Sequence, residues 1–317
     1  PRLVTLVDRY ATYSGSDPRK APAALATIPY IEQTFGAYHI KGGLRELGRA
    51  LYERCLNLGV TFHFNEGIHT VHTNETVKGV TTSQGRYVSA DIVINNADAR
   101  VLYESLLDDN GKQRIAKDNK RLNTAVASLA GFVALWALDG TTEKLEHHNI
   151  FFPENYDDEF DSIFGVKPRP VPDPTIYICN PRDDAMAPHG KESWFVLVNA
   201  PRHDPVAGVD WSNADLAKDY ENRIKTKLAT SGFNVSSRLI WSDTKTPYAL
   251  EQATGAPGGS IYGTSSNGLQ AAFLRPRNIS PVRGLYLVGG SAHPGGGLPL
   301  VAMSAEIVAT HIGRAIR

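Results

Sequence analysis

The chain is 317 residues long and carries 33 Lys plus Arg against 33 Asp plus Glu, so no net field recruits nucleic acid or anionic lipid, and the length suffices for one large or two ordinary cores. Its two cysteines, Cys55 and Cys179, are far apart and make no metal-type spacing, the usage expected in a reducing, cytoplasmic compartment. The longest nearly apolar run, residues 125–138, is short of the roughly 20 residues a membrane helix requires, so it reads as a buried strand and any membrane contact as peripheral.

Residues 2–13 place Leu3, Leu6, Val7 and Tyr10 at helical spacing, and Gly15 with Pro18 ends the element. Residues 21–38 carry Ala, Pro, Ile and aromatics with little charge, which suits either a wall against an apolar ligand or an ordinary core helix. Gly42 and Gly43 precede a helix with Leu44, Leu47, Leu51, Cys55 and Leu58 on one face, stopped by Gly59. Short β segments are expected at 60–64, 68–73, 77–82 and 87–90, and a strand at 91–95 ends in Asn95, Asn96, Ala97 and Asp98. Asp98 is placed to cap a helix over 99–107.

From Asn123 onward the pattern changes. Strands are predicted at 125–138, 146–152, 175–180 and 194–200, separated by proline-rich loops such as 167–174. The helix at 211–231 aligns Leu216, Tyr220, Ile224 and Leu228 on one stripe, so the region reads as a mixed sheet with helices on one face. His147 and His148 fall on one predicted strand, where neighbours point to opposite faces, and His69 with His72 is no better placed; no metal site is expected. Hydrolase chemistry fails on spacing, because Gly289-Gly290-Ser291-Ala292-His293 and Gly263-Thr264-Ser265-Ser266-Asn267 both lack the final glycine of G-x-S-x-G. Arg275, Arg277 and Arg283 read as a solvated basic loop in preference to a phosphate contact.

The most informative stretch is 284–312. An apolar strand at 285–288 ends at Gly289 and Gly290, and from Leu298 the residues Val301, Ala302, Ala305, Val308, Ala309 and Ile312 recur at helical spacing. Gly295, Gly296 and Gly297 carry no side chains, so a ligand can approach the backbone, and the unpaired N–H groups of the helix's first turn point toward it. Pro299 suits that first turn. Such a helix start favours a phosphate or the electron-rich edge of a reduced flavin. Upstream, Gly258, Gly259, Tyr262 and Gly263 in the segment 257–277 also permit tight backbone approach.

This HPGGG run and its flanks resemble the C-terminal flavin-binding signature of the phytoene desaturase family, which includes dehydrosqualene desaturases and carotenoid oxidases. The text around HHNIFF, YICNP and FVLVNAP is similar to the family as well, so the resemblance covers nearly the whole chain. It implies an α/β (mixed α+β) fold: part of a glutathione-reductase-like FAD domain and a mixed-sheet substrate domain. The expected divisions are 1–40 as substrate-region helices, 41–108 as the second half of the FAD domain, 109–255 as the substrate sheet, and 256–317 as the return to the flavin. By the same resemblance FAD is contacted by Ile68, Asn95, Ala97, Asp98, Gly289, Gly290, His293, Pro294, Gly295, Gly296, Gly297, Leu298 and Pro299. Arg9, Tyr13, Tyr38 and Tyr262 are the substrate-facing candidates, and no catalytic acid or base is assigned.

The implied function is FAD-dependent desaturation of a long apolar isoprenoid by hydride transfer to the flavin. Two alternatives stay open: another flavin oxidoreductase of this fold, of the retinol-saturating or amine-oxidase type, or a non-catalytic lipid-binding or interaction module. No strand-G-x-G-x-x-G-helix unit occurs in the 317 residues, so the chain is expected to represent the C-terminal two thirds of such an enzyme.

Overall fold

The computed structural model of the chain describes residues 2–268, 271 and 275–315. In chain order the helices are α1 (Arg2–Asp8), α2 (Thr27–Phe35), α3 (Leu44–Asn57), α4 (Ala99–Val101), α5 (Asp109–Arg114), α6 (Ala116–Thr124), α7 (Asp157–Phe164), α8 (Ala214–Thr230), α9 (Pro247–Thr254) and α10 (Leu298–Ala315). The strands are β1 (Ile68–Thr73), β2 (Val77–Thr82), β3 (Tyr87–Ser89), β4 (Val93–Asn95), β5 (Ala130–Asp139), β6 (His148–Phe151), β7 (Ile176–Cys179), β8 (Lys191–Ala200), β9 (Leu239–Lys245) and β10 (Leu285–Leu287). Two compact units result. The first joins Pro1–Thr27, Phe64–Ala130 and Leu250–Arg317, and the second joins Ile28–His63 and Gly131–Ala249. These units cut across the divisions expected from sequence: α3 belongs to the second unit, while 109–130 belongs to the first.

In the first unit, β1, β2 and β3 form an antiparallel sheet, and β10 pairs with β4 in parallel, Leu285 opposite Val93 and Leu287 opposite Asn95. Val71, Val77, Leu102, Tyr103, Leu107, Ile115, Leu285 and Leu287 form its core. The strand expected at 60–64 is absent: Val60 and Phe64 are exposed and Asn65 turns the chain through a left-handed conformation. Among the described residues no strand pairs with this segment, and apolar alternation alone does not make a ladder. The strand expected from 125 begins only at Ala130, because 126–129 is taken up by other partners. Ser128 N–H donates to the Gly263 carbonyl, Leu129 N–H to that of Gly15, and Ser265 N–H to that of Val126. The segment 257–277 thus lies beside 126–129 as far as it is described; residues 269, 270 and 272–274 fall outside the described residues.

The second unit holds a sheet of order β6-β7-β8-β5-β9, antiparallel at β6-β7, β7-β8 and β5-β9. Along β5 and β8 the even-numbered residues are buried under α8: Phe132, Trp136, Trp194 and Val196 pack with Tyr220, Ile224 and Leu228. Trp136 Nε1 donates to Glu221 Oε1 at 2.8 Å, so the buried indole keeps a partner. Asn213 caps α8, its side-chain oxygen accepting from the N–H groups of Asp215 and Leu216. The opposite sheet face, with Val133, Leu135, Tyr177, Phe195 and Leu197, is half-buried or exposed. Strand β9 was not anticipated, since Leu239–Lys245 mixes Trp, Ser, Asp and Lys, and only pairing with β5 makes it a strand. Helix α3 forms as expected and ends at Gly59 (φ 81°), yet its apolar stripe is open, with Leu44 and Leu51 exposed.

The expectation that His147 and His148 point apart is overturned. β6 begins at His148, so His147 lies outside the pleat and the two rings sit 4.4 Å apart; alternation applies only within a strand. Among the described residues no helix is long and apolar enough to cross a membrane.

Glu192 anchors the far end of the same sheet. Its carboxylate accepts from Thr142 N (2.7 Å), Thr142 Oγ1 (2.9 Å), Asn180 Nδ2 (3.1 Å) and Arg238 Nη2 (2.9 Å). Burial alone would raise its pKa, but Arg238 and the other donors outweigh burial and hold it below the ordinary glutamate value. A folded-state pKa lower than the unfolded one stabilises fully above the unfolded value, about 4.3, and that stabilisation is lost as pH falls through the folded value. Melting curves from pH 7 down to pH 3 are therefore expected to show a larger decline for the wild type than for Glu192→Gln, which starts less stable at pH 7. Parallel declines would sink the assignment.

Candidate functional site

The carboxyl ends of β4 and β10 come together, and this junction is where a parallel α/β sheet offers a ligand crevice. Val288 N–H donates to the Asn95 carbonyl at 2.9 Å, continuing the ladder one residue past β10. The chain then turns at Gly289 (φ 95°), where a Cβ would stand 2.4 Å from Asn96 Oδ1. Only glycine lets these two strand ends close so tightly. Beyond Gly290, Ser291 Oγ accepts the N–H of Ala99 at 3.0 Å, and Asp98 caps α4 by accepting from Arg100 N–H at 2.8 Å. Burial raises the Asp98 pKa, partly offset by its hydrogen bond from Arg100 and by the Arg100 and Arg275 charges.

Two buried polar side chains hold the turn. Arg275, 4% exposed, donates from Nη1 to the carbonyls of Tyr262 (2.6 Å) and Gly290 (3.0 Å) and from Nη2 to that of Thr264 (2.8 Å). Its burial lowers the guanidinium pKa to about 10, against the pull of Asp98. Asn278 Nδ2 lies 3.0 Å from the Leu287 carbonyl, 2.8 Å from that of His293 and 3.0 Å from Ser304 Oγ on α10. Ser304 in turn accepts Gly289 N–H at 3.2 Å. The expectation of a solvated loop at Arg275 is therefore overturned, while Arg277 and Arg283 are exposed.

The glycines of the HPGGG run divide into two kinds. A Cβ on Gly295 would meet Arg275 Nε at 3.3 Å, and one on Gly296 would meet Tyr262 Cδ1 at 2.2 Å, so these two make room for protein side chains. Among the described residues, Gly290 has only Gly296 Cα near its missing Cβ, at 3.5 Å, and Gly297 (φ 96°) has no atom within 4 Å. Gly297 opens directly into α10: its carbonyl accepts Val301 N–H, and Leu298, Pro299 and Leu300 of the first turn are exposed. Open backbone at two glycines, beside a helix start with unpaired N–H groups, fits the edge of a flat electron-rich ring.

The remaining candidates are placed as follows. Asn95 is buried and its amide donates to the Ala97 carbonyl at 2.8 Å. His293 is exposed and lines, with Asp118, Arg277, Asn278 and Ile307, a depression of about 670 Å³. Pro294 is half-buried between it and Gly295, and Ile68, 41% exposed, opens β1 opposite Thr82. Arg9, Tyr13 and Tyr262 do come together: burial, then Tyr13, raises the Tyr262 pKa, and Arg9 lowers it. The Tyr262 ring is flanked by Gly296 and by Gly15, whose Cβ would lie 3.0 Å from Tyr262 Cδ2. Tyr38 belongs to the other unit, is 87% exposed, and donates to the Phe35 carbonyl. Sequence reasoning missed Asn278 and Ser304. The latter left a trace, since Val301, Ser304 and Val308 share the i, i+3, i+7 stripe that a helix turns inward, and a lone serine there needs a buried partner.

The family described as flavin containing amine oxidoreductase matches residues 9–313. A 1-hydroxycarotenoid 3,4-desaturase from Flavobacterium sp. (strain P99-3) is 38% identical over 98% of this chain and 62% of its own length. A 4,4'-diapolycopene oxygenase from Methylomonas sp. is 29% identical over 97% of the chain and 61% of its own length. The chain thus spans about three fifths of these curated relatives. Among solved structures, an oxidoreductase from Methanosarcina mazei superposes with a TM-score of 0.65 at 17% identity, covering 97% of this chain and 64% of that one. A putrescine oxidase triple mutant superposes at 0.60 with 14% identity and the same coverages. These two likenesses establish the fold.

Proposed function

We propose that this chain, which belongs to the flavin-containing amine oxidoreductase family, forms the ring-side half of an FAD site and the substrate sheet of an enzyme that desaturates long apolar isoprenoids of the carotenoid type. The observation that carries the reading is the junction of β4, β10 and α10, where Gly290 and Gly297 leave backbone open at a helix start. When bound, the flavin supplies the hydride acceptor that no amino-acid side chain can provide. Gly290 and Gly297 admit the ring to the backbone, and the first-turn N–H groups of α10 favour its electron-rich edge. Arg275 and Asn278 hold the glycine turn in one geometry through buried hydrogen bonds, so little rearrangement accompanies binding.

The second unit, taken by itself, carries an apolar surface. Val133, Leu135, Phe195 and Leu197 line the sheet face away from α8, and burying polyene against them displaces water at about 25 cal/mol per Å². The carotenoid-acting relatives support a polyene over an amine. No G-x-G-x-x-G occurs in the 317 residues, so their proposed share of the cofactor is its ring side.

The test uses the protein expressed together with a strand-G-x-G-x-x-G-helix unit at the length of the relatives. It is expected to copurify with a yellow flavin that bleaches anaerobically when a hydroxylated or unmodified C40 polyene is added. A colourless product, or a flavin bleached by a primary amine and not by any polyene, would overturn the reading.

A further inference from the structure

We propose that His147, His148 and Cys179 form a zinc-binding site on the open face of the second unit's sheet. The β6-β7 ladder sets His148 directly opposite Cys179, and cross-strand partners place their side chains on the same face. His147, just ahead of the strand, turns its ring to the same side. The result is that one ligand atom from each of the three residues lies within 4.8 Å of the others. A tetrahedral zinc, with bonds of about 2.0–2.3 Å, needs its ligand atoms roughly 3.3–3.8 Å apart. His148 is exposed and His147 and Cys179 are half-buried, so small side-chain adjustments can close the difference without moving the sheet.

The ligand chemistry narrows the choice of ion. Two imidazoles and a thiolate suit zinc and exclude the oxygen-seeking Mg²⁺ and Ca²⁺. Three protein ligands leave a fourth position for water or another donor. Outer partners that orient such ligands are also in place. The Tyr177 hydroxyl is 2.8 Å from His148 Nδ1. With Nδ1 engaged by Tyr177, His148 Nε2 is left to face the ion. The His39 ring packs 4.9 Å from that of His147, and its Nε2 bonds Asp183 Oδ2 at 2.8 Å. Asp183 is itself fixed by the N–H groups of Gly42 and Ala185.

Neutral imidazole and thiolate are the forms that ligate. Binding then exchanges the S–H bond for an S–Zn bond and releases one proton to solvent, with no change in oxidation state. Among the described residues, this is the one group of histidine, cysteine and acidic side chains with such spacing.

The experiment takes the chain without affinity histidines, strips it with a chelator, and titrates Zn²⁺ against a chromophoric competitor, with Co²⁺ as a spectroscopic probe. One zinc per chain is expected, together with a sulfur-to-cobalt charge-transfer band in the near ultraviolet. Cys179→Ser should abolish that band and weaken zinc by more than the about 10- to 100-fold typical of losing an outer partner; Tyr177→Phe should keep the band and fall within that range. His148→Ala, at an exposed position, serves as a second variant that leaves the fold intact, and Cys55→Ser should change nothing. Zinc affinity indifferent to both Cys179→Ser and His148→Ala, or a cobalt spectrum without charge transfer, would rule the site out.

Discussion

Replacing Arg275 with alanine is expected to lower the unfolding free energy by about 2–4 kcal/mol, because buried carbonyls lose a charged donor. The guanidinium is 4% exposed and serves the carbonyls of Tyr262, Thr264 and Gly290 at once. Truncation leaves those acceptors buried without donors, each at a cost of about 1–3 kcal/mol when water cannot replace the bond. Arg275→Lys is expected to recover little, because an ammonium cannot reproduce the planar fork that reaches three diverging oxygens. Denaturant unfolding of wild type and both variants measures this. A midpoint for Arg275→Ala indistinguishable from wild type would show that the loop does not depend on the arginine. Expressed together with a strand-G-x-G-x-x-G-helix unit, the same variant is also expected to lose flavin, since the Gly290 carbonyl belongs to the turn proposed to border the ring.

Gly296→Ala is the second large effect, expected at about 1–3 kcal/mol, the usual cost of overpacking. The new methyl would stand 2.2 Å from Tyr262 Cδ1 and 3.2 Å from Cγ, near the root of the side chain where a rotamer change gives no relief. Retreat is blocked as well, because Gly15 closes the ring's other side. A double-mutant cycle separates this clash from any backbone effect: with Tyr262→Ala in place, Gly296→Ala should cost much less. Equal costs in both backgrounds would show that the tyrosine is not what requires glycine. Gly297→Ala is the contrast, with open space around it and only the left-handed φ of 96° to pay for, about 1–2 kcal/mol. Expressed together with a strand-G-x-G-x-x-G-helix unit, Gly297→Ala is expected to reduce flavin content more than stability, and Gly296→Ala the reverse.

That contrast marks the limit of what was legible in the linear text. Three consecutive glycines announce close approach to the backbone, and the approach is real at each of them that has a neighbour. Which atoms approach is a different question. Gly295 and Gly296 are filled by Arg275 and Tyr262, which lie 20 and 34 residues upstream in the numbering, and no local pattern connects those positions. His147 and His148 show the same limit from the other side. The period-2 rule was sound, but it depends on where the strand begins, and that is set by pairing with β7.

By itself, the sequence determined the elements whose signals are local: α8 with its asparagine cap, the β1-β2 hairpin, α3 with its glycine stop, and the strand, glycine turn and helix at the C-terminus. Periodicity, capping and φ preference act over a few residues and can be read one segment at a time. Only the tertiary structure decided that residues 60–64 form no strand, that β9 does, that Arg275 is buried, and that two histidines and a cysteine share one face. Each of these depends on whether a distant segment supplies a hydrogen-bond partner or covers a side chain, and burial and pairing are properties of the folded chain as a whole.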